Sequence, residues 1–224
     1  MAKTYSIAID GPAGAGKSTI AKKVAKDLSI IYVDTGAMYR AVAYFVLKKG
    51  FDCTNPEQVC SCLSEIKLEI EYSEEFGQKI ILNGKDISTE IRLPEVSNAV
   101  ANVSAITEVR EFLLEQQRSL AKSQSLVMDG RDIATVVLPN ADVKIFLTAS
   151  PEVRAKRRLL DYQQKGIETS FEKVLDDVIQ RDFKDCNRTV APLRQADDAI
   201  LVDSSQLSFD ETVEKIKSII HEKI

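Results

Sequence analysis

Short apolar runs alternate with segments of helical period along most of the chain. Tyr5–Ile9 is a short β-branched run, and Ser18–Leu28 carries apolar residues at helical spacing. Four further runs, Ile30–Val33, Leu126–Met128, Val143–Leu147 and Ala199–Val202, read as buried strands. Helical patterns separate most of them, among them one over roughly Thr107–Lys122, which points to parallel βαβ packing. Three helix starts are signalled: Asn55-Pro56 and Ser150-Pro151 each place a capping residue before a first-turn proline, and Ser208 with Glu211 forms a capping box. One stretch breaks the rhythm. Lys67–Tyr72 alternates, Lys79–Leu82 follows, and Asn83-Gly84 leads into Lys85–Ile87, a hairpin signal. Such an antiparallel excursion either covers a sheet edge or lies near the strand ends, where α/β ligands bind.

At 224 residues with 44% apolar content, the chain suits one α/β domain with small insertions. The start, Met1-Ala2-Lys3-Thr4, leads directly into a strand, and no apolar run approaches membrane-span length, so a soluble cytoplasmic protein with no membrane partner is expected. A formal charge of −4 argues against bulk attraction to nucleic acid, so an anionic substrate must be held by locally placed arginines. Cys53, Cys60, Cys62 and Cys186 show no C-x-x-C pairing and read as free thiols. His221, the single histidine, falls in a charged terminal helix, which removes histidine-based acid–base chemistry from consideration.

Gly11-Pro12-Ala13-Gly14-Ala15-Gly16-Lys17-Ser18 fits the G-x-x-x-x-G-K-[ST] phosphate loop, set between a strand and a helix as that motif requires. Glycines let backbone N–H groups close around phosphate oxygens, and the helix N-terminus adds partial positive charge. Lys17 can reach the β- and γ-phosphates, and the Ser18 hydroxyl can ligate Mg²⁺.

A phosphate loop leaves the acceptor open. Asp34-Thr35-Gly36-Ala37-Met38-Tyr39-Arg40 follows the second strand and is expected to face the loop, and Met128-Asp129-Gly130-Arg131-Asp132 reaches the same rim. Arg181, Asp185 and Arg188 close a helical segment, and Arg110 sits in the helix over 107–122. Planar guanidinium groups at strand ends beside a phosphate loop suit phosphate oxygens. Arg154, Arg157 and Arg158 fall on one helical face, which is either a solvated face or a mobile lid that lowers arginines onto polyphosphate.

Together D-[ST]-G-A-x-Y-R, D-G-R-D and R-D-x-x-D-x-N-R, with Asn187–Leu193 behind them, make the chain resemble the bacterial cytidylate kinases almost end to end. The resemblance implies a three-layer α/β P-loop NTPase fold with a five-stranded parallel sheet. It implies one kinase domain over 1–224: a core of 1–63, 94–148 and 186–224, a nucleoside-monophosphate-binding insert at about 64–93, and a helical lid at about 149–185. The implied activity is ATP-dependent phosphorylation of CMP and dCMP by a monomer that uses ATP and Mg²⁺, in pyrimidine metabolism. Gly11, Pro12, Ala13, Gly14, Ala15, Gly16, Lys17, Ser18 and Thr19 would bind ATP, while Arg157 and Arg158 would come from the lid. Thr35, Tyr39, Arg40, Arg110, Arg131, Asp132, Arg181, Asp185 and Arg188 would surround the acceptor. Arg40 and Arg131 would hold its phosphate, and Lys17, Arg131, Arg157 and Arg158 would neutralise charge during transfer.

Base selection has a physical basis. Cytosine offers an amino donor beside two acceptors, so Asp132 can accept from the amino group while Arg110 donates. Uracil reverses two of those groups. Three positions depart from the family pattern: Ala101 replaces a common serine, Thr35 replaces a serine but keeps the hydroxyl, and Ala134 replaces a usual glycine. Asp34 and Asp129 are candidates either for ordering metal-bound water or for bracing the loop. Other small-molecule kinases, acting on UMP, AMP or shikimate, and a P-loop switch are the competing readings, the last without an N-K-x-D motif in the chain.

Overall fold

The computed structural model describes residues 4–73, 77–164 and 166–224. Met1–Lys3, residues 74–76 of the expected insert and residue 165 of the expected lid lie outside them. The chain divides into two compact units, 1–30 with 125–224, and 31–124.

In the first unit, β1 (Ser6–Asp10) lies between β6 (Leu126–Gly130) and β7 (Val143–Thr148), and β7 pairs with β8 (Ile200–Asp203), all parallel. With β2 (Ile31–Asp34) the five-stranded order is β2-β6-β1-β7-β8. Ile7, Ile9, Val127, Ile145 and Leu147 are wholly buried, which explains why these strands read as continuous apolar runs rather than alternating ones. The connections are helical: α1 (Lys17–Asp27) follows β1, α6 (Pro151–Gln164) and α7 (Phe171–Asn187) separate β7 from β8, and α8 (Phe209–Lys223) closes the chain. Ser208 Oγ accepts from Glu211 N–H while the Glu211 carboxylate accepts from Ser208 N–H, so the expected capping box is formed.

The second unit packs α2 (Thr35–Lys48), α3 (Pro56–Ser61), α4 (Pro94–Val103) and α5 (Thr107–Ser123) with a small antiparallel sheet. That sheet runs β3 (Leu68–Ser73), β4 (Gly77–Leu82), β5 (Lys85–Asp86), with Tyr72 opposite Gln78 and Leu82 opposite Lys85. Asn83 and Gly84 both take positive φ, 49° and 80°, as a two-residue hairpin turn of the expected Asn-Gly kind demands. Ile80 and Leu82 point into one core with Met38, Val42, Val46, Val96 and Leu113. Asn55 caps α3 through its side-chain oxygen. All four cysteines are free, and His221 is exposed. No helix among the described residues is long and apolar enough to cross a membrane.

Candidate active site

The phosphate loop turns directly from β1 into α1. Gly16 takes φ +87° at the N-cap, and no side chain caps the first turn, so its N–H groups face the space a phosphate would take. Lys17 is 5% exposed, and its Nζ donates to the Pro12 carbonyl at 2.8 Å. Burial pushes its ammonium pKa well down and the Arg131 charge adds to that, against Asp129 and Asp10, which work to raise it. Ser18 and Thr19 are exposed, and Ser18 Oγ donates to Asp129 Oδ2 at 2.8 Å.

Asp10, the last residue of β1, is 1% exposed, and its two oxygens accept from Ile133 and Ala134 N–H at 2.9 and 2.7 Å. The chain after Asp132 makes a π-turn over 133–137 at negative φ, so Ala134 meets no conformational penalty where a glycine was expected. Burial, opposed by those two bonds, raises the Asp10 pKa to about 6. Since that lies above the unfolded value of 3.8, the group's contribution to stability is full below pH 3.8 and is lost as pH rises through 6. We therefore expect Asp10→Asn to gain in melting temperature relative to the unaltered protein as pH rises from about 4 to about 7. A difference that stays constant over that range would show that Asp10 does not titrate there.

Beside the loop, four motif residues form one charged network. Arg131 Nε donates to Asp185 Oδ2 at 2.8 Å, and Arg188 donates to Asp132 Oδ1 at 3.3 Å and, through Nε, to the Ala191 carbonyl at 2.6 Å. Ala191 holds φ +49°, a sparsely populated conformation for a non-glycine, and thereby turns that carbonyl toward Arg188. Burial works to raise the Asp185 pKa, but Arg131, Arg181 and Arg188 outweigh it and hold the carboxylate below its ordinary value. Arg181 thus acts electrostatically on both Asp185 and Lys17.

The arginines of α6 separate. Arg154 is 3% exposed and donates to the carbonyls of Ala149 and Ala13 and, through both Nη atoms, to Asp182. Its helical spacing suggested a lid or solvated face shared with Arg157 and Arg158; instead it is a buried brace under the phosphate loop. Its fork meets fixed acceptors on two sides, a depth that spacing along a helix does not encode. Arg157 is half-buried, donating to the Ser204 carbonyl at 2.9 Å and reaching the Ala15 carbonyl at 3.5 Å. Arg158 lies over the Tyr162 ring and donates to its hydroxyl.

In the second unit, Asp34 ends β2 and caps α2, with Oδ1 accepting from Ala37 N–H and Oδ2 from Arg40 Nη2, both at 2.9 Å. Arg40 Nε is buried without a hydrogen-bond partner. Thr35 is buried at the start of α2, and Tyr39 stacks under the Arg110 guanidinium, 5.5 Å from ring centroid to Cζ. Arg110 also donates to the Ser104 carbonyl. Ala101 is exposed on α4. Two residues absent from the sequence-based set hold the backbone next to, or of, candidates discussed with it. Asp10 anchors the turn after Asp132, and Gln78 binds the backbone of Asp34. For Gln78 the available signal was a polar residue on the buried face of an alternating strand.

The donor set fits Mg²⁺, which takes hard oxygen ligands and keeps several waters and phosphate oxygens of its own. Ser18 and Asp129 supply such a hydroxyl and carboxylate at one place, whereas Asp34 is committed to its helix cap and to Arg40.

Residues 7–222 match the cytidylate kinase family. A cytidylate kinase of Bacillus cereus is 49% identical over 220 residues, covering 98% of this chain and 97% of that one. One from Bacillus thuringiensis is 48% identical over the same shares. An uncharacterised protein from Eubacterium ventriosum, 14% identical, shares the fold with a TM-score of 0.53 over 98% of this chain and 99% of that one. A phosphate loop, a D-G-R-D turn and an R-D-x-x-D-x-N-R helix end therefore occur here with near-half identity along the whole length, and the chain belongs to the cytidylate kinase family.

Proposed function

We propose that the chain transfers the γ-phosphoryl group of ATP directly to a phosphate oxygen of CMP or dCMP. One observation carries the reading. The phosphate-loop lysine and the motif arginines Arg131, Arg181 and Arg188 gather in one compact unit, close enough for Arg131 and Arg181 to act on Lys17. Four cationic side chains so gathered, with Asp10, Asp129, Asp132 and Asp185 set among them, offer fixed donors that suit two phosphate groups approaching each other.

In this reading residues 11–19 hold the ATP phosphates through backbone N–H groups and Lys17. Ser18, with Asp129 behind it, would hold Mg²⁺, which supplies charge neutralisation on the β- and γ-phosphate oxygens. Arg40 and Arg131 hold the acceptor phosphate, Arg181 and Asp185 lie near the sugar, and Arg188 steadies Asp132. Thr35 and Tyr39 complete the acceptor's surroundings, with Tyr39 also supporting Arg110. Arg110 and Asp132 read the cytosine edge. Residues of the 64–93 insert act on the acceptor side, and Arg157 and Arg158 of the 149–185 lid add charge neutralisation and exclude water. The acceptor oxygen is already anionic near neutral pH, so no general base is required and the work is positioning plus electrostatics. In this reading the enzyme acts as a monomer in cytoplasmic pyrimidine nucleotide metabolism.

Coupled detection of ADP tests this. ADP release is expected to need both ATP and CMP or dCMP. Equal release with no acceptor would point to a nucleotide hydrolase or switch instead.

A further inference from the structure

Gln78 stands on the buried face of β4. Side chains two apart share a face of a strand, so Gln78 continues the row of Leu82 and Ile80, which are 5% and 1% exposed. A polar residue in that row needs partners, and it finds them at the end of β2. Its Oε1 accepts from Asp34 N–H at 2.6 Å, and its Nε2 donates to the Asp34 carbonyl at 3.3 Å. Both backbone polar groups of Asp34 are therefore held by one side chain, while both carboxylate oxygens are used in turn by Ala37 N–H and Arg40 Nη2. The guanidinium is fixed close over the first turn of α2: a Cβ built on Gly36 would lie 3.1 Å from Arg40 Nη1. Arg40 Nε remains buried and unpartnered.

We infer that Gln78 is a positioning residue for the acceptor phosphate. Its carboxamide clamps Asp34, Asp34 fixes the Arg40 fork, and the partly exposed Arg40 side chain is thereby held in place for the incoming oxygen. The small sheet thereby sets the acceptor grip without touching substrate. The inference rests on the proposed role of Arg40 in holding the CMP phosphate. A purely structural role, pinning the sheet to β2, would lower stability and all activities together.

The test is steady-state kinetics on the full chain carrying Gln78→Met, which keeps the length and removes both hydrogen bonds. KM for CMP is expected to rise about tenfold, kcat to change less than about threefold, and KM for ATP to stay put. In an Arg40→Met background the same substitution is expected to change KM for CMP by less than about twofold, because its route of action is gone. An unchanged KM for CMP, equal rises in both backgrounds, or matching losses toward ATP would each overturn the inference. Stabilisation by CMP in a thermal melt reads acceptor binding without turnover. If the unaltered protein binds CMP but does not phosphorylate it, the proposed function fails. A CMP-induced shift lost in Gln78→Met, with the ATP-induced shift kept, would then still uphold the clamp, and a retained CMP shift would overturn it.

Discussion

Gly11→Ala is expected to lose more than about 3 kcal/mol of stability and to reduce ATP affinity by at least about a hundredfold. Gly11 leaves β1 at φ +149°, where a side chain is strained, and a Cβ there would lie 1.9 Å from the Leu147 carbonyl oxygen. That oxygen is backbone in β7, a strand paired with β1 up to Asp10 and Phe146, so it cannot turn aside as a side chain would. Either the strands part or the phosphate loop moves, and both outcomes damage the site. Gly16→Ala provides the contrast. Its φ is also positive, but its Cβ would meet only Ile20 Cδ1 at an ordinary 3.6 Å, and the expected loss is about 1 kcal/mol. Thermal melts with ATP titration of both variants check this, and a Gly11→Ala protein that melts and binds ATP like the parent would refute it.

Arg131→Ala is expected to lower kcat/KM for CMP by about a thousandfold while leaving ATP affinity within about threefold. The guanidinium serves two partners at once. It holds the Asp185 carboxylate below its ordinary pKa, and its charge helps depress the pKa of Lys17. Removing it leaves Asp185, which is largely buried, with Arg181 and Arg188 to offset burial. Arg131→Lys would retain the charge without the planar fork, and we expect it to recover only part of the loss. Near-parental turnover of CMP by Arg131→Ala would remove Arg131 from the acceptor site.

The frame of the molecule was legible in its residues because its signals are local. Apolar runs gave the parallel strands, Asn83-Gly84 gave a hairpin turn that needs two positive φ values, and Ser208 with Glu211 gave a helix start. The phosphate loop was equally plain, since its glycines are needed by the backbone itself. Depth was harder to read. Arg154, Arg157 and Arg158 lie on one helical face, yet only Arg154 is buried, because its acceptors come from Ala13 and Asp182, far away in sequence. Asp34 and Asp129 each stand at the end of a strand, and three-dimensional partners separate a helix cap from the carboxylate beside Ser18. Gln78 was hidden for the same reason: its partner, Asp34, lies 44 residues away.

The comparison of CMP, dCMP and UMP as acceptors at fixed saturating ATP, read as initial rates of ADP release, is the most direct check on the proposed transfer to a cytosine nucleotide. CMP and dCMP are expected to be turned over, and UMP to show kcat/KM at least about thirtyfold lower, the effect of roughly 2 kcal/mol of mismatched hydrogen bonding. UMP used as well as CMP, or ADP released at the same rate with no acceptor, would contradict it.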